Sequence, residues 1–342
     1  MDENTIVEHT EEEKTAVVDF KPVKKYFSRI GFSLVWLMAV TLLLSAIAVV
    51  IINLVSPKFT QSPWYIWLLS SVPLYLFAFP IYLYSLPKAI NRPLYKNSMS
   101  IKQFFMFLLM CFGIMYPLNL LGYGVTALLK EVLSISTENP LEALVKSSNI
   151  YINFIFAVLL APIMEELIFR KLLLDRLARI DKRTALFFSD LAFGLFHGNL
   201  SQFFYAYGLG LLFAFIYIKT NRVGYTIGLH MIVNFFGIVV SPLVLGLGGA
   251  ETQFNAEPGS IEQINQLLSK LPYLFAYLVY GFILLGMVVA GIYLLIRERR
   301  MFTVAQEDDM IPDEKAFSIV YLTWGVTLFI ILSAIMFVLN FQ

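Results

Sequence analysis

Two adjacent carboxylates, Glu165 and Glu166, stand in an apolar stretch that runs from Ala161 to Arg170, with Arg170 four residues past the second. Downstream, His197 lies four residues after Phe193, and Asn234 lies four residues after His230, again among apolar neighbours. Ionisable side chains are expensive inside a membrane-length apolar run, so they read first as a functional site. Of three histidines in the chain, two occupy these segments, and the third, His9, falls in the acidic first twenty residues. The residue types suit hydrolysis. A desolvated carboxylate is a better base than a hydrated one, and a fixed imidazole and amide are the donors an oxyanion needs. Two histidines with a glutamate also make a hydrolytic zinc triad, although the chain has no His-Glu-x-x-His helix.

Helix geometry sorts these residues. Glu166 and Arg170 at i,i+4 share a face, so they can pair and lower the cost of burying two charges. Glu165 is turned about 100° from Glu166 and can look into a different cavity. His230 and Asn234 are side by side by the same spacing, as are Phe193 and His197. Asp190, seven residues before His197, is on the same face and either orients that imidazole or sits at a wet helix edge. Phe193, Tyr205, Tyr207, Asn119 and Asn153 read as packing residues.

The elements that carry these groups are membrane helices. Of 342 residues, 58% are hydrophobic and 14% charged, and mean hydropathy is +0.74. Soluble domains carry roughly a quarter charged residues, so an ordinary globular enzyme is excluded. A net charge of +1 gives no pull toward nucleic acid. The single cysteine, Cys111, excludes disulfides and cysteine-ligated clusters. Apolar runs at about 30–55, 64–86, 103–129, 149–169, 184–201, 203–218, 223–245, 273–296 and 316–340 predict an all-α polytopic bundle of about nine spans. The weakest division is Gly198 to Gln202, between two short runs.

Lysine and arginine placement orients the bundle. With the N-terminus cytoplasmic, inner segments hold 21 of these residues, and the outer ones hold only Lys58, Lys130, Lys146 and Lys270. Residues 1–29 read as an acidic cytoplasmic tail and basic juxtamembrane segment without signal-peptide character. Residues 30–130 form N-terminal spans, 149–245 the core that bears the polar groups, and 273–342 the C-terminal spans. Two outer loops contain stretches, Leu141–Lys146 and Ile261–Leu271, expected as short interfacial helices. Glu165 and His197 each lie 14 residues from a cytoplasmic arginine, roughly 20 Å along their helices. The expected pocket of Glu165, His197, His230 and Asn234 opens toward the cytoplasm.

In this order and setting, Glu-Glu-x-x-x-Arg at 165–170, Phe-x-x-x-His at 193–197 and His-x-x-x-Asn at 230–234 resemble the CAAX protease and bacteriocin-processing (CPBP, or Abi) family of intramembrane glutamic endopeptidases. The resemblance covers about residues 150–245. It implies that Glu165, assisted by His197, activates a water, and that His230 and Asn234 stabilise the oxyanion. Glu166, Arg170 and Asp190 would support these groups structurally. No cofactor is implied, with zinc as the alternative. The substrate would be a membrane-associated protein or peptide at a bacterial cell membrane; oligomeric state is open. Two other classes stand beside the protease: a non-proteolytic regulator or bacteriocin-immunity scaffold, and a transporter, the last opposed by the lack of sequence repeats.

Overall fold

In the computed structural model, residues 19–92, 94–133, 148–246, 260–304 and 311–339 are described, and no strand occurs among them. Most of the acidic tail, His9 and the stretch Leu141–Lys146 lie outside the described residues.

The helices are α1 (Lys21–Val55), α2 (Tyr65–Ser85), α3 (Ile101–Leu133), α4 (Ile150–Leu177), α5 (Lys182–Phe196), α6 (Leu200–Thr220), α7 (Val223–Val244), α8 (Ile261–Arg297), α9 (Asp313–Val320) and α10 (Trp324–Leu339). Seven of them, α1 to α4 and α6 to α8, are long and apolar enough to cross a membrane. The α9–α10 pair, bent by 72°, makes an eighth crossing if taken together. The chain is thus a multi-pass, all-α membrane protein. All nine expected apolar runs map onto helices, but run 184–201 forms α5, only 15 residues long. At 1.5 Å per residue it spans about 22 Å, short of the ~30 Å hydrocarbon core.

Local chemistry sets the breaks around the core. Asn149, Asp181 and Asn199 are extended N-caps whose side chains accept from the N–H of Ile152, Thr184 and Gln202; each satisfies an amide the first turn leaves open. Gly198, at φ 67°, turns the chain between α5 and α6, a conformation that favours glycine. Residues Ile261–Leu271 are not a separate interfacial helix. They run without a break into the rest of α8, through Pro272; a helix with lipid or neighbours around it tolerates such a proline.

Core helix α6 packs on α3 and α5, α3 on α8, and α1 on α2 and α10. Two crossings are glycine to glycine: Gly31 meets Gly325, and a Cβ at Gly113 would sit 2.6 Å from the Gly291 backbone. Large side chains such as Leu43, Val50 and Leu54 on α1, and Phe275, Phe282 and Leu285 on α8, are exposed. A contiguous apolar exterior of this kind suits hydrocarbon rather than water.

The core helices are tied together at their Leu177, Thr220 and Val223 ends by the loop after α2. Arg176 donates to the Pro87 carbonyl at 3.1 Å and Arg179 to that of Ile90 at 3.3 Å. Asn97 donates through its backbone to Thr220 and through its side chain to Lys219, both at 2.9 Å. Asn221 donates to Leu94 at 2.8 Å, and the Met99 amide donates to the Tyr225 hydroxyl at 3.1 Å. One loop therefore spans the bases of α4, α6 and α7.

Candidate active site

Helix α4 brings the two glutamates to mid-membrane on a short α-helical segment, Ala161–Glu166, bracketed by π-helical turns at Phe154–Leu160 and Leu167–Leu174. Such wide turns shift the register of side chains and free carbonyls, and they concentrate at functional sites. Helix α7 has one too, at Phe236–Val240, just past Asn234.

Glu166 is fully buried and does two things. Its Oε2 lies 3.5 Å from Arg170 Nε, the expected i,i+4 pair. Its Oε1 lies 3.1 Å from His230 Nδ1. A carboxylate beside a guanidinium can only accept, so His230 Nδ1 carries a proton and donates. The second ring nitrogen, Nε2, is left 3.7 Å from Glu165 Oε2. His230 is held between the two glutamates.

Behind Glu166, Arg170 reaches a second carboxylate. Its Nη2 lies 3.5 Å from Asp190 Oδ1 and donates to the Gly210 carbonyl at 3.4 Å. All three ionic side chains have no exposure to solvent. The guanidinium also lies over the Phe193 ring, 4.6 Å from its centroid, with Phe213 at 5.9 Å, a placement that offsets part of its desolvation. Asp190 therefore neither orients His197 nor sits at a wet edge, the two expectations above. It faces Arg170 in a dry core, because α5 presents that face to α4.

His197 is the C-cap of α5, and its Nδ1 lies 2.9 Å from the Phe193 carbonyl. That carbonyl accepts, so Nδ1 bears the proton in the neutral ring and Nε2 is the free nitrogen. Asn234 donates from Nδ2 to the Ala157 carbonyl at 2.9 Å, within the first π-helical turn of α4. One amide hydrogen stays available.

Glu165, His197, His230 and Asn234 line one cavity of about 370 Å³. Glu165 keeps 24% side-chain exposure into it, against none for Glu166. The structure thus sets the adjacent glutamates in different surroundings, as their 100° separation requires. The walls add residues that the sequence reading passed over, Trp67, Ser70, Ser71 and Tyr75 from α2 and Gln202 from α6, and one that it took for packing, Tyr205. Tyr205 is not a plain packing residue, since it lines this cavity and accepts from Gln202 Nε2 at 3.0 Å. Positions 202, 205, 206, 209 and 213 repeat at helical spacing and all line the cavity, so a wheel drawn from Gln202 would have found Tyr205. Asn153 keeps its packing role, accepting from Trp67 Nε1 at 3.0 Å.

The cavity walls run from Trp67 to Tyr75 on α2 and from Gln202 to Phe213 on α6, with Asn199 in the α5–α6 turn. Toward the Leu177 end of α4 from Glu165 stand the buried Glu166–Arg170–Asp190 chain and the fully buried Phe169, Leu173 and Leu174. Glu165 lies 12 residues from Leu177 and 15 from Ile150, about 18 Å and 22 Å along the helix, so it sits near the middle of α4.

Residues 147–236, from just before α4 into the last π-helical turn of α7, match the family model described as type II CAAX prenyl endopeptidase Rce1-like. This segment is similar to that family. The motif resemblance is borne out over the region that holds all four cavity residues. A Bacillus subtilis (strain 168) protein named as a membrane peptidase, YdiL, is 32% identical over 90 residues, which are 25% of this chain and 36% of that protein. The membrane-embedded CAAX protease MroQ of Staphylococcus aureus (strain USA300) is 26% identical over 140 residues, 36% of this chain and 57% of the relative. The chain thus matches between about a third and somewhat over half of each relative's length. No solved structure matches significantly.

Among the described residues, no group of three or more His, Cys, Asp or Glu is arranged to hold a metal ion. Glu166 and the Phe193 carbonyl take the Nδ1 atoms of His230 and His197 and leave both Nε2 atoms free, an arrangement that metal-ligating histidines share.

Proposed function

We propose that this chain is an intramembrane endopeptidase that hydrolyses a peptide bond of a membrane-associated protein or peptide with a water activated by Glu165. The observation that carries the reading is the position of Glu165. Its carboxylate is the one acidic group open to the cavity, 3.7 Å from His230 Nε2. That gap is too long for a direct hydrogen bond and suits an intervening water.

The steps follow from the donors and acceptors present. A water between Glu165 and the His197 Nε2 lone pair gives its proton to Glu165 as its oxygen attacks the scissile carbonyl. The resulting oxyanion takes hydrogen bonds from the free amide hydrogen of Asn234 and from His230 Nε2–H. His230 enters the step already as the imidazolium, with Nδ1–H on Glu166 and Nε2–H toward Glu165, so it donates to the oxyanion without taking a proton from the water. Glu165 then returns its proton to the leaving amine as the C–N bond breaks. This assignment keeps Glu165 as base and then acid, the economy expected of one positioned carboxylate. Each oxyanion donor removed from such a site costs about 10²–10³ in rate.

The test is comparative membrane proteomics of cells that carry the wild-type chain or Glu165→Gln at matched expression. New peptide termini present only with the wild type are expected. Persistence of the cellular phenotype in Glu165→Ala would sink the proteolytic reading and favour the regulator or immunity role. The proposed water activation uses no metal, so the purified protein should keep its activity in a strong chelator. Loss of activity that zinc alone restores would overturn the mechanism while leaving the reaction standing.

A further inference from the structure

The structure assigns a lipid site to a second cavity, between α3, α5, α6 and α8: one acyl chain of a phospholipid in its apolar part, and the headgroup phosphate on Arg183. This cavity holds about 760 Å³ and shares no lining residue with the active-site cavity. The lipid site therefore stands or falls apart from the endopeptidase reading. On α6, Gly208, Leu211, Leu212 and Phe215 face it, whereas positions 202, 205, 206, 209 and 213 face the cavity of Glu165. At about 100° per residue the two sets are centred roughly 130° apart, and the helix is a wall between them.

The extent of the cavity along the helices is that of one leaflet. One end is at helix termini: Arg183 is the second residue of α5, Leu295 is two residues from the end of α8, and Thr303 and Val304 follow that helix. These termini lie together with the Thr220 end of α6, since the Phe215 ring meets Phe302 at 4.9 Å between centroids. The other end is at helix midpoints. Ile114 and Leu118 flank Pro117, the middle residue of α3, and Gly208 stands about 18 Å along α6 from Thr220. Half of the ~30 Å hydrocarbon core is about 15 Å. A chain that starts at a membrane edge and stops near the midplane matches this span.

The lining selects the occupant. Of the thirteen described residues that form it, only Arg183 and Thr303 have polar side chains, and both are exposed at the terminal end. Water needs two to four polar partners, and no side chain in the deeper part supplies one. A void of this size beside close-packed helices forfeits dispersion contacts along every wall, and a flexible hydrocarbon chain restores them. The polar end then fits a headgroup. Arg183 donates from Nη1 to Asp313 Oδ2 at 2.6 Å, and a guanidinium has four further N–H donors. Arg183 and Asp313 are both largely exposed, where an ion pair is weak. A phosphate can join or replace the carboxylate, because its oxygens match the guanidinium fork.

The test uses full-length protein stripped of lipid in detergent. It is titrated with dioleoyl phosphatidylglycerol or with dioleoylglycerol, which has the same chains and no phosphate, and bound lipid is counted by native mass spectrometry. Wild-type protein should retain one phosphatidylglycerol about fivefold more tightly than dioleoylglycerol, the weight of one basic side chain on an anionic headgroup. Arg183→Gln should erase that preference, while Asp313→Asn, which removes the competing carboxylate, should keep or strengthen it. Leu211→Trp fills the apolar part and should expel both lipids, and Leu211→Phe does the same with a smaller ring where the first variant fails to fold. Glu165→Gln should bind as the wild type does. Three results overturn the site: no retained phosphatidylglycerol in the wild type, an equal loss of preference in Arg183→Gln and in Lys102→Gln, an exposed basic residue off the cavity, or unchanged binding in a folded Leu211 variant. The last would place the lipid on the outer surface of the bundle instead.

Discussion

His230 has the most constrained chemistry of any single side chain in the site. One glutamate fixes its Nδ1 proton while the other waits 3.7 Å from Nε2. Glu166 is thus more than the partner of Arg170. Glu166→Gln keeps an acceptor for Nδ1–H but removes the charge that supports an imidazolium, so it should lower turnover more than it lowers the melting temperature in detergent. Arg170→Ala is a different injury. It strands two buried carboxylates, Glu166 and Asp190, whereas Glu166→Ala leaves Arg170 still facing Asp190. Breaking a buried pair costs about 3–5 kcal/mol, so Arg170→Ala should melt lowest, with Glu166→Ala above it and Arg170→Ala/Glu166→Ala less damaged than the sum. Glu165→Gln, on the cavity wall, should melt near wild type and be inactive. Equal melting temperatures for Arg170→Ala and Glu166→Ala would show that Asp190 does not depend on the guanidinium.

Helix by helix, what the sequence disclosed and what it hid have a common physical cause. The pairing of Glu166 with Arg170, the separation of Glu165, and the meeting of His230 with Asn234 at one cavity all follow from a 3.6-residue period and the cost of polar groups in lipid. They were therefore legible. The π-helical turns were not, because the register shift depends on packing, although Pro162, which has no N–H to give, helps leave Ala157 O free for Asn234. Nor was the partner of Asp190, since which face of α5 meets α4 depends on a tertiary contact. Glycine crossings are a middle case: Gly113 and Gly291 are separate in sequence and become meaningful only when α3 and α8 touch. With the added Cβ of Gly113→Ala directed at the Gly291 backbone, that change should pry α3 from α8 and lower the detergent melting temperature by several degrees. Gly281→Ala, on α8 with nothing within 4 Å of the added carbon, should leave it unchanged. A thermal unfolding series over the two variants checks this, and equal melting would mean the crossing is loose enough to absorb a methyl group.

For the molecule as a whole, one asymmetry organises the topology: basic residues and the loop that binds three core helices sit at one end. Because charge sets the orientation while packing sets the cavity, the two can be tested apart. Lys58→Cys, in the short turn before α2, should react with an impermeant thiol reagent on intact cells. Arg300→Cys, in the 3₁₀ turn after α8 (Arg299–Met301), should react only after permeabilisation. Both lie outside the cavity and away from the glutamates, so their labelling should not vary with Glu165. If position 300 labels from outside and position 58 does not, the bundle is inverted. The internal geometry of the cavity is the same in either orientation. If both label from outside, an even number of crossings separates them, and one of the seven helices α2 to α8 does not cross. The bent α9–α10 pair would not bear on that result, since it follows both positions, and the short helix α5 would be the element to re-examine, because at about 22 Å it is the one core helix that does not reach across the hydrocarbon by itself.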